Sequence, residues 1–515
     1  MKAFLSEIQE VPFHQQPGVP ILAQNMHAYE AMCEGYHRTF KMYIPEACRQ
    51  GRGSFPLIVV NHGGESHNIY TYTVWHLLAE REKLIILYPE CWYENTPWNI
   101  WALMNDVGEY PDDVAYIDAV IDYAIGKYAI DETRIHMTGH SMGDGITTYY
   151  AVAHPERLAS AAGTQGPSKS MWMMNSDGTL RMEPQGPIPF VRTHGEEDCF
   201  FAKALTDEER KWFKQQCHIT PNNRLWLIAN HCENVPRIRT DWEKNELIYK
   251  GEEESRFITY VRGMHRPPIS YVEDLWESLF SRCRRIDGRI VVEEGADEPD
   301  QKAIAVCAGS ADSFYDNSVS KAGSNVMPCQ CRDGRLYVDC TLFKSWFQGT
   351  EVKWQDGKKA VRLLSPQVNA IIYLSNTMKK GASDRRLIEA GSRECPATMQ
   401  PGGSISVIEI NGRLDAIPGI LIEDGHIMMP FSAVMEKVFH RYTYEAYNVG
   451  YAVDHAFRLA YDLCFTIKRI LGTEKDMTSK ELYDTEQKIY QMEREDLGME
   501  LPNTEKELVL QWIHV

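Results

Sequence analysis

One serine, one acidic cluster and one histidine are spaced as a nucleophile, an orienting carboxylate and a base would be. Ser141 lies in Gly139-His140-Ser141-Met142-Gly143. In such a G-x-S-x-G pattern the flanking glycines let a strand turn sharply into a helix and hold the hydroxyl out above the sheet. The bare pattern is common. Here the apolar Ile135 to Thr138 precedes it and the helix-forming Ile146 to Ala153 follows, which is the setting a nucleophile elbow requires. A hydroxyl attacks well only when a base takes its proton, and that base needs a carboxylate to orient it. Asp198 follows a strand ending at Gly195, with Glu196 and Glu197 beside it, and His265 follows a strand ending near Val261. The order Ser141, Asp198, His265 predicts a catalytic triad. His231 and His218 are rival bases, but neither follows a clear apolar strand.

A tetrahedral oxyanion needs two preorganised N–H donors. The amide of Met142, just after the nucleophile, is one candidate. The second is Gly64 or a neighbour in His62-Gly63-Gly64, where glycine lets the backbone approach closely. His140 reads as a packing residue, and Asp144 as a charge suited to the helix N-terminus. The aromatic inserts Trp92, Tyr93, Trp98 and Trp101, and Met171-Trp172-Met173-Met174, are either a local core or the walls of an apolar pocket. Trp98, Trp101 and Trp172 are the candidates for contact with substrate.

The elements that would position these groups alternate strand and helix. Tyr36 to Pro45 alternates in polarity, as a half-buried strand does. Phe55 to Val60 and Leu84 to Pro89 are continuous apolar runs, the mark of strands buried on both faces. Pro111 to Ile130 is an amphipathic helix with Asp112 and Asp113 in its first turn. Ile188 to Gly195 and Arg256 to Val261 read as further strands, and Tyr271 to Arg285 as a closing helix. This pattern predicts an α/β domain over 1–288 built on a doubly wound, mostly parallel sheet.

This stretch resembles the α/β-hydrolase superfamily, and within it the esterases related to polyhydroxybutyrate depolymerases and feruloyl or acetyl-xylan esterases. The likeness is carried by Asn61-His62-Gly63-Gly64, Tyr88-Pro89, Trp98-Asn99 and the run Asp131 to Gly143. His154-Pro155-Glu156-Arg157, His194 to Asp198 and Gly263 to Pro267 add to it. The resemblance implies Ser141, Asp198 and His265 as the triad. Two residues depart from the family pattern: Asp144 stands where a further glycine is usual, and Met264 where many members have glycine.

Residues 289–301 read as an acidic linker. Beyond them lies a smaller α+β accessory domain over 302–456 with two approximate repeats, one from Asp333 and one from Ile410. It loosely resembles copper-amine-oxidase N-terminal-like modules, without implying copper. Residues 457–515 are helix-patterned. The accessory half could bind a polymer, shape the site's rim or mediate self-association.

The 515-residue chain has a formal charge of −18, which argues against nucleic-acid and anionic-membrane partners. Its 13 cysteines have neither disulfide-scaffold nor zinc-site spacing, and neither metal nor organic cofactor is expected. Without a signal-peptide pattern the chain reads as cytoplasmic, or as secreted if a leader was removed. The sequence therefore predicts a serine carboxylic-ester hydrolase acting on a small-molecule or polymer-attached ester. A prolyl-oligopeptidase-like serine peptidase and a non-catalytic binding protein on the same scaffold are the alternatives.

Overall fold

The computed structural model describes residues 3–14, 23–50, 53–63, 69–71, 73–92, 98, 111–166, 177, 183–198, 206, 221–293, 301–355, 359–366, 368–374, 405–475, 478, 480, 481, 484 and 488. Two compact units make up the chain: residues 1–234, 246–298 and 477–515, and residues 235–245 and 299–476. Where the sequence reads as one unbroken stretch to 288, residues 235–245 group with the second unit.

The first unit is organised by a mixed sheet. Its strands are β1 (Leu5–Val11), β2 (Met26–Cys33), β3 (Tyr36–Tyr43), β4 (Phe55–Asn61), β5 (Ile85–Pro89), β6 (Ile130–His140), β7 (Ser160–Thr164) and β8 (Phe190–Gly195). After β9 (Arg237–Thr240), which falls in the second unit, come β10 (Lys244–Tyr249) and β11 (Ser255–Tyr260). The spatial order is β1-β2-β3-β5-β4-β6-β7-β8-β11-β10. β1 to β3 pair antiparallel, and β5, β4, β6, β7, β8 and β11 run parallel. Every residue of β4 and β5 is buried, as their unbroken apolar sequence requires of strands covered on both faces.

Helices α1 (Glu46–Gln50), α2 (Trp75–Glu82), α3 (Asp113–Lys127) and α4 (Met142–Ala153) connect them. Alternation along β4 sends Ile58 and Val60 into one core with Trp75 and Leu78 of α2 and with Tyr271, Val272 and Leu275. Helices α3 and α4 pack against each other and against β6. The sheet is thus doubly wound. Asp112 caps α3, its carboxylate accepting from the amides of Val114 and Ala115, each at 3.0 Å, which satisfies two otherwise unpaired first-turn donors.

Two expectations need correction. The closing helix ends at Phe280, as an α-turn over Tyr271–Leu275 that widens into a π-turn over Trp276–Phe280. Residues Cys283–Ile286 (β12) then pair with Arg289–Val292 (β13) in a hairpin, so the first part of the expected linker is a strand. The turn is Asp287-Gly288, both at positive φ (51° and 77°), a two-residue hairpin turn that Asp-Gly favours.

In the second unit the same device recurs at Asp333-Gly334, Asn411-Gly412 and Asp424-Gly425, all at positive φ. Strand Arg335–Asp339 precedes a helix at Leu342–Trp346, and strand His426–Pro430 precedes one at Phe431–Phe439. These two strands pair antiparallel, Val338 opposite Met429. The strand-helix repeat therefore aligns Asp333 with Asp424, not with Ile410. Leu336, Phe343, Phe431 and Val434 lie in one buried core. A further helix spans Tyr461–Ile470.

Candidate active site

The parallel strands end on one edge of the sheet, and the chemistry-bearing residues lie just past those ends. Ser141 follows β6 at φ 57° and ψ −122°, a conformation rare for a residue with a side chain. Its amide donates to the Thr164 carbonyl at 2.9 Å, and its carbonyl accepts from the Asp144 amide at 2.9 Å. The flanking glycines are sterically required. A Cβ on Gly139 would collide with the Gly143 carbonyl, and one on Gly143 with the carbonyls of Asn61 and His62. Asn61 Nδ2 donates to Thr147 Oγ1 at 2.9 Å and ties the end of β4 to α4.

Because β8 and β11 are parallel neighbours, with Gly195 opposite Tyr260, the loops after them emerge side by side. Their glycines let the backbones touch: a Cβ on Gly195 would collide with the Gly263 carbonyl. The Glu196 amide donates to the Tyr260 carbonyl at 3.0 Å, and the Glu197 amide to the Gly263 carbonyl at 2.8 Å. Here His265 Nδ1 lies 3.0 Å and 3.3 Å from the carboxylate oxygens of Asp198. A carboxylate can only accept, so Nδ1 carries a proton, which makes Nε2 the acceptor of the neutral ring.

Of the rivals, Glu196 accepts from the Arg262 amide at 3.1 Å. His231 is exposed and pairs with Glu252 at 2.9 Å, at the amino end of β11 on the opposite edge of the sheet. His218 lies outside the described residues, as do Gly64, Tyr93, Trp101 and residues 171–174. Met142 is the first residue of α4, so its N–H is one of the first-turn donors that a helix cannot satisfy internally.

The loop after β4 is held by groups the sequence did not single out for this role. His62 is buried. Its Nε2 accepts from the Cys91 amide at 3.1 Å, and its Nδ1 donates to the Gly63 carbonyl at 2.6 Å. Trp98 is fully buried, stacks obliquely on His62 with ring centroids 4.7 Å apart, and donates its indole N–H to the His62 carbonyl at 2.8 Å. Of its two sequence readings, the local-core one describes this buried side chain. Gly63 passes over Ser141: a Cβ there would sit 3.3 Å from that of the serine.

Asp144 does more than complement a helix terminus. It is fully buried, 3.5 Å from Nε of buried Arg192 on β8. The guanidinium also donates to the Gly166 carbonyl at 2.8 Å and to Asn223 Oδ1 at 3.1 Å. A Cβ on Gly163 or Gly166 would overlap the Asp144 carboxylate. The clue was an arginine inside the apolar strand Phe190 to Gly195, since a buried charge has to be paired.

With this geometry established, the chain can be set beside known proteins. Residues 38–168 match the sequence model of the family described as Esterase PHB depolymerase. A bifunctional acetylxylan esterase/xylanase from Neocallimastix patriciarum is 24% identical over 247 residues, 47% of this chain and 33% of that protein. Acetylxylan esterase A from Emericella nidulans is 28% identical over 133 residues, 25% of this chain and 41% of that protein. Poly(3-hydroxyalkanoate) depolymerase C from Paucimonas lemoignei is 28% identical over 125 residues, 24% of this chain and 30% of that protein. The chain thus spans well under two thirds of these relatives. Among solved structures, the acetyl xylan esterase from Aspergillus awamori superposes with a TM-score of 0.34 at 17% identity, covering 52% of this chain and 98% of that one. Residues 38–168 of the first unit thus resemble esterases of the PHB depolymerase type. The unit's fold is read from strand order and the elbow.

Proposed function

We propose that this chain is a serine carboxylic-ester hydrolase working through an acyl-enzyme. The observation that carries the reading is the Asp198–His265 contact, on loops that adjoin the strained turn bearing Ser141. Ser141 Oγ attacks the ester carbonyl while its proton passes to His265 Nε2. The imidazolium is held by Asp198, and the tetrahedral oxyanion by the Met142 amide and one from the Gly64 stretch. The C–O bond to the alcohol breaks as His265 returns the proton to the leaving oxygen. Water, deprotonated by His265, then cleaves the acyl-serine and releases the acid. An oxyanion donor of this kind is worth about 3–4 kcal/mol of transition-state stabilisation.

The substrate class in this reading is an acetyl, feruloyl or polyester-type carboxylic ester, free or attached to a polymer. Support comes from the relatives, named for acetylxylan and poly(3-hydroxyalkanoate). The test is a panel of p-nitrophenyl acetate, methyl ferulate, acetylated xylan and short hydroxyalkanoate esters, run with the full chain and with Ser141→Ala. Turnover of at least one ester that vanishes in the folded variant supports the proposal; undiminished turnover in the variant overturns the mechanism.

A further inference from the structure

The loop that carries His265 has no regular secondary structure over residues 261–268, so no ladder pairs its carbonyls. Three consecutive ones are nevertheless taken, each by a donor from a different strand end. The Gly263 carbonyl accepts from the Glu197 amide at 2.8 Å, beyond β8. The Met264 carbonyl accepts from Gln165 Nε2 at 2.6 Å, beyond β7. The His265 carbonyl lies 3.0 Å from Nε2 of His140, the last residue of β6. A carbonyl only accepts, so His140 carries its proton on Nε2.

His140 sits beside the nucleophile, is 8% exposed, and its ring centroid is 5.0 Å from that of His265. Its Nδ1 edge faces the other way, 3.6 Å from where a Cβ on Gly63 would be. One ring therefore spans the gap between the loop after β4 and the loop bearing the base. Burial pushes its pKa down to about 4, so at neutral pH the ring is an uncharged donor. A purely space-filling residue would carry no desolvation cost.

We propose that His140 and Gln165 are positioning residues for His265, clamping two successive carbonyls of its loop so that the imidazole stays aligned between Asp198 and Ser141. The proposal rests on the reading of His265 as the general base. Small misplacements of a catalytic group, on the order of 1 Å, can cost about a hundredfold in rate. Loss of the clamp should therefore lower kcat and leave KM nearly unchanged, because neither residue is assigned a contact with substrate.

The experiment measures kcat and KM for p-nitrophenyl acetate in His140→Gln, His140→Asn, His140→Leu and Gln165→Glu. A glutamine amide can reach the His265 carbonyl; an asparagine amide is one bond short, and leucine and glutamate have no N–H to offer. The expected result is a kcat lowered about 10- to 100-fold in the Asn, Leu and Gln165→Glu variants, with KM within about twofold and recovery to within about fivefold in His140→Gln. The Gln and Asn variants, both polar and neutral, carry the comparison even if the leucine variant does not fold. Equal kcat in His140→Gln and His140→Asn, or wild-type kcat in His140→Leu, overturns the clamp. If those results appear while Ser141→Ala is inactive, the hydrolase reading survives without it. No turnover and no fluorophosphonate labelling of the wild type would overturn both.

Discussion

The carboxylate of Asp144 and the guanidinium of Arg192 form a buried ion pair, 3.5 Å from Nε to Oδ2. It joins the first turn of the helix after Ser141 to the strand that leads to Asp198. Two glycines, Gly163 and Gly166, leave the space the carboxylate occupies. A glycine at 144 would need no such space, so the carboxylate there is matched by an arginine and two side-chain-free positions around it.

That relationship predicts a compensating pair. Gly163→Ala pushes a methyl into the Asp144 carboxylate and should destabilise the protein by about 1–3 kcal/mol, as overpacking does. Asp144→Gly alone takes the carboxylate away from buried Arg192 and should cost about 3–5 kcal/mol. In the double variant Gly163→Ala should add almost nothing to Asp144→Gly, because its clash partner is gone. Urea denaturation of the four proteins measures the coupling.

Trp98→Phe keeps an aromatic group, though a smaller one, and deletes the N–H that the His62 carbonyl accepts. Losing that buried hydrogen bond costs about 0.5–1.5 kcal/mol. If the loop after β4 supplies an oxyanion donor, part of that cost falls on the transition state. The expected result is a kcat lowered by up to about tenfold with KM little changed, and steady-state kinetics on one ester decides it.

How much of this was legible in the sequence depends on whether a residue's role was set locally. The apolar run of β4, the glycines around Ser141, and an acid and a histidine just past strand ends are local signals, and they sufficed for the sheet, the elbow and the Asp198–His265 contact. Trp98 was not decidable, because a tryptophan's type does not say whether it forms core or wall, and its partner lies 36 residues away. The Asp144–Arg192 pair spans 48 positions and has no periodic signature; only tertiary packing brings it together. The Asp287-Gly288 turn was readable in principle, but the acidic run after it suggested a linker.

Acid should expose the buried histidines. Burial holds His136 at about 3, against an ordinary 6.5. Between pH 6.5 and about 4 the unfolded chain binds a proton there that the native state does not, so stability falls as pH falls through that window. Glu253, raised by burial to about 7, is protonated in the native state from about pH 7 downward and acts in the opposite direction. The clean measurement is therefore a difference. The stability of wild type minus that of His136→Gln should drop by about 3 kcal/mol between pH 7 and pH 4. A constant difference in urea titrations at the two pH values would contradict the assignment.

In the second unit, Gly425 follows Asp424 in a hairpin turn at φ 83°. Gly425→Ala places a Cβ in left-handed backbone and should lower stability by about 1 kcal/mol. The side chain would meet open space, so the effect is one of backbone conformation alone, and thermal denaturation of the variant checks it.

The central claim is that Ser141 is the nucleophile, and covalent capture tests it most directly. After treatment of the full chain with a fluorophosphonate, intact-mass and peptide mass spectrometry should find one phosphonyl adduct, on Ser141. Labelling should be absent in Ser141→Ala and slowed about a thousandfold or more in His265→Ala. An adduct on another residue, or labelling of Ser141→Ala at the wild-type rate, would contradict the account.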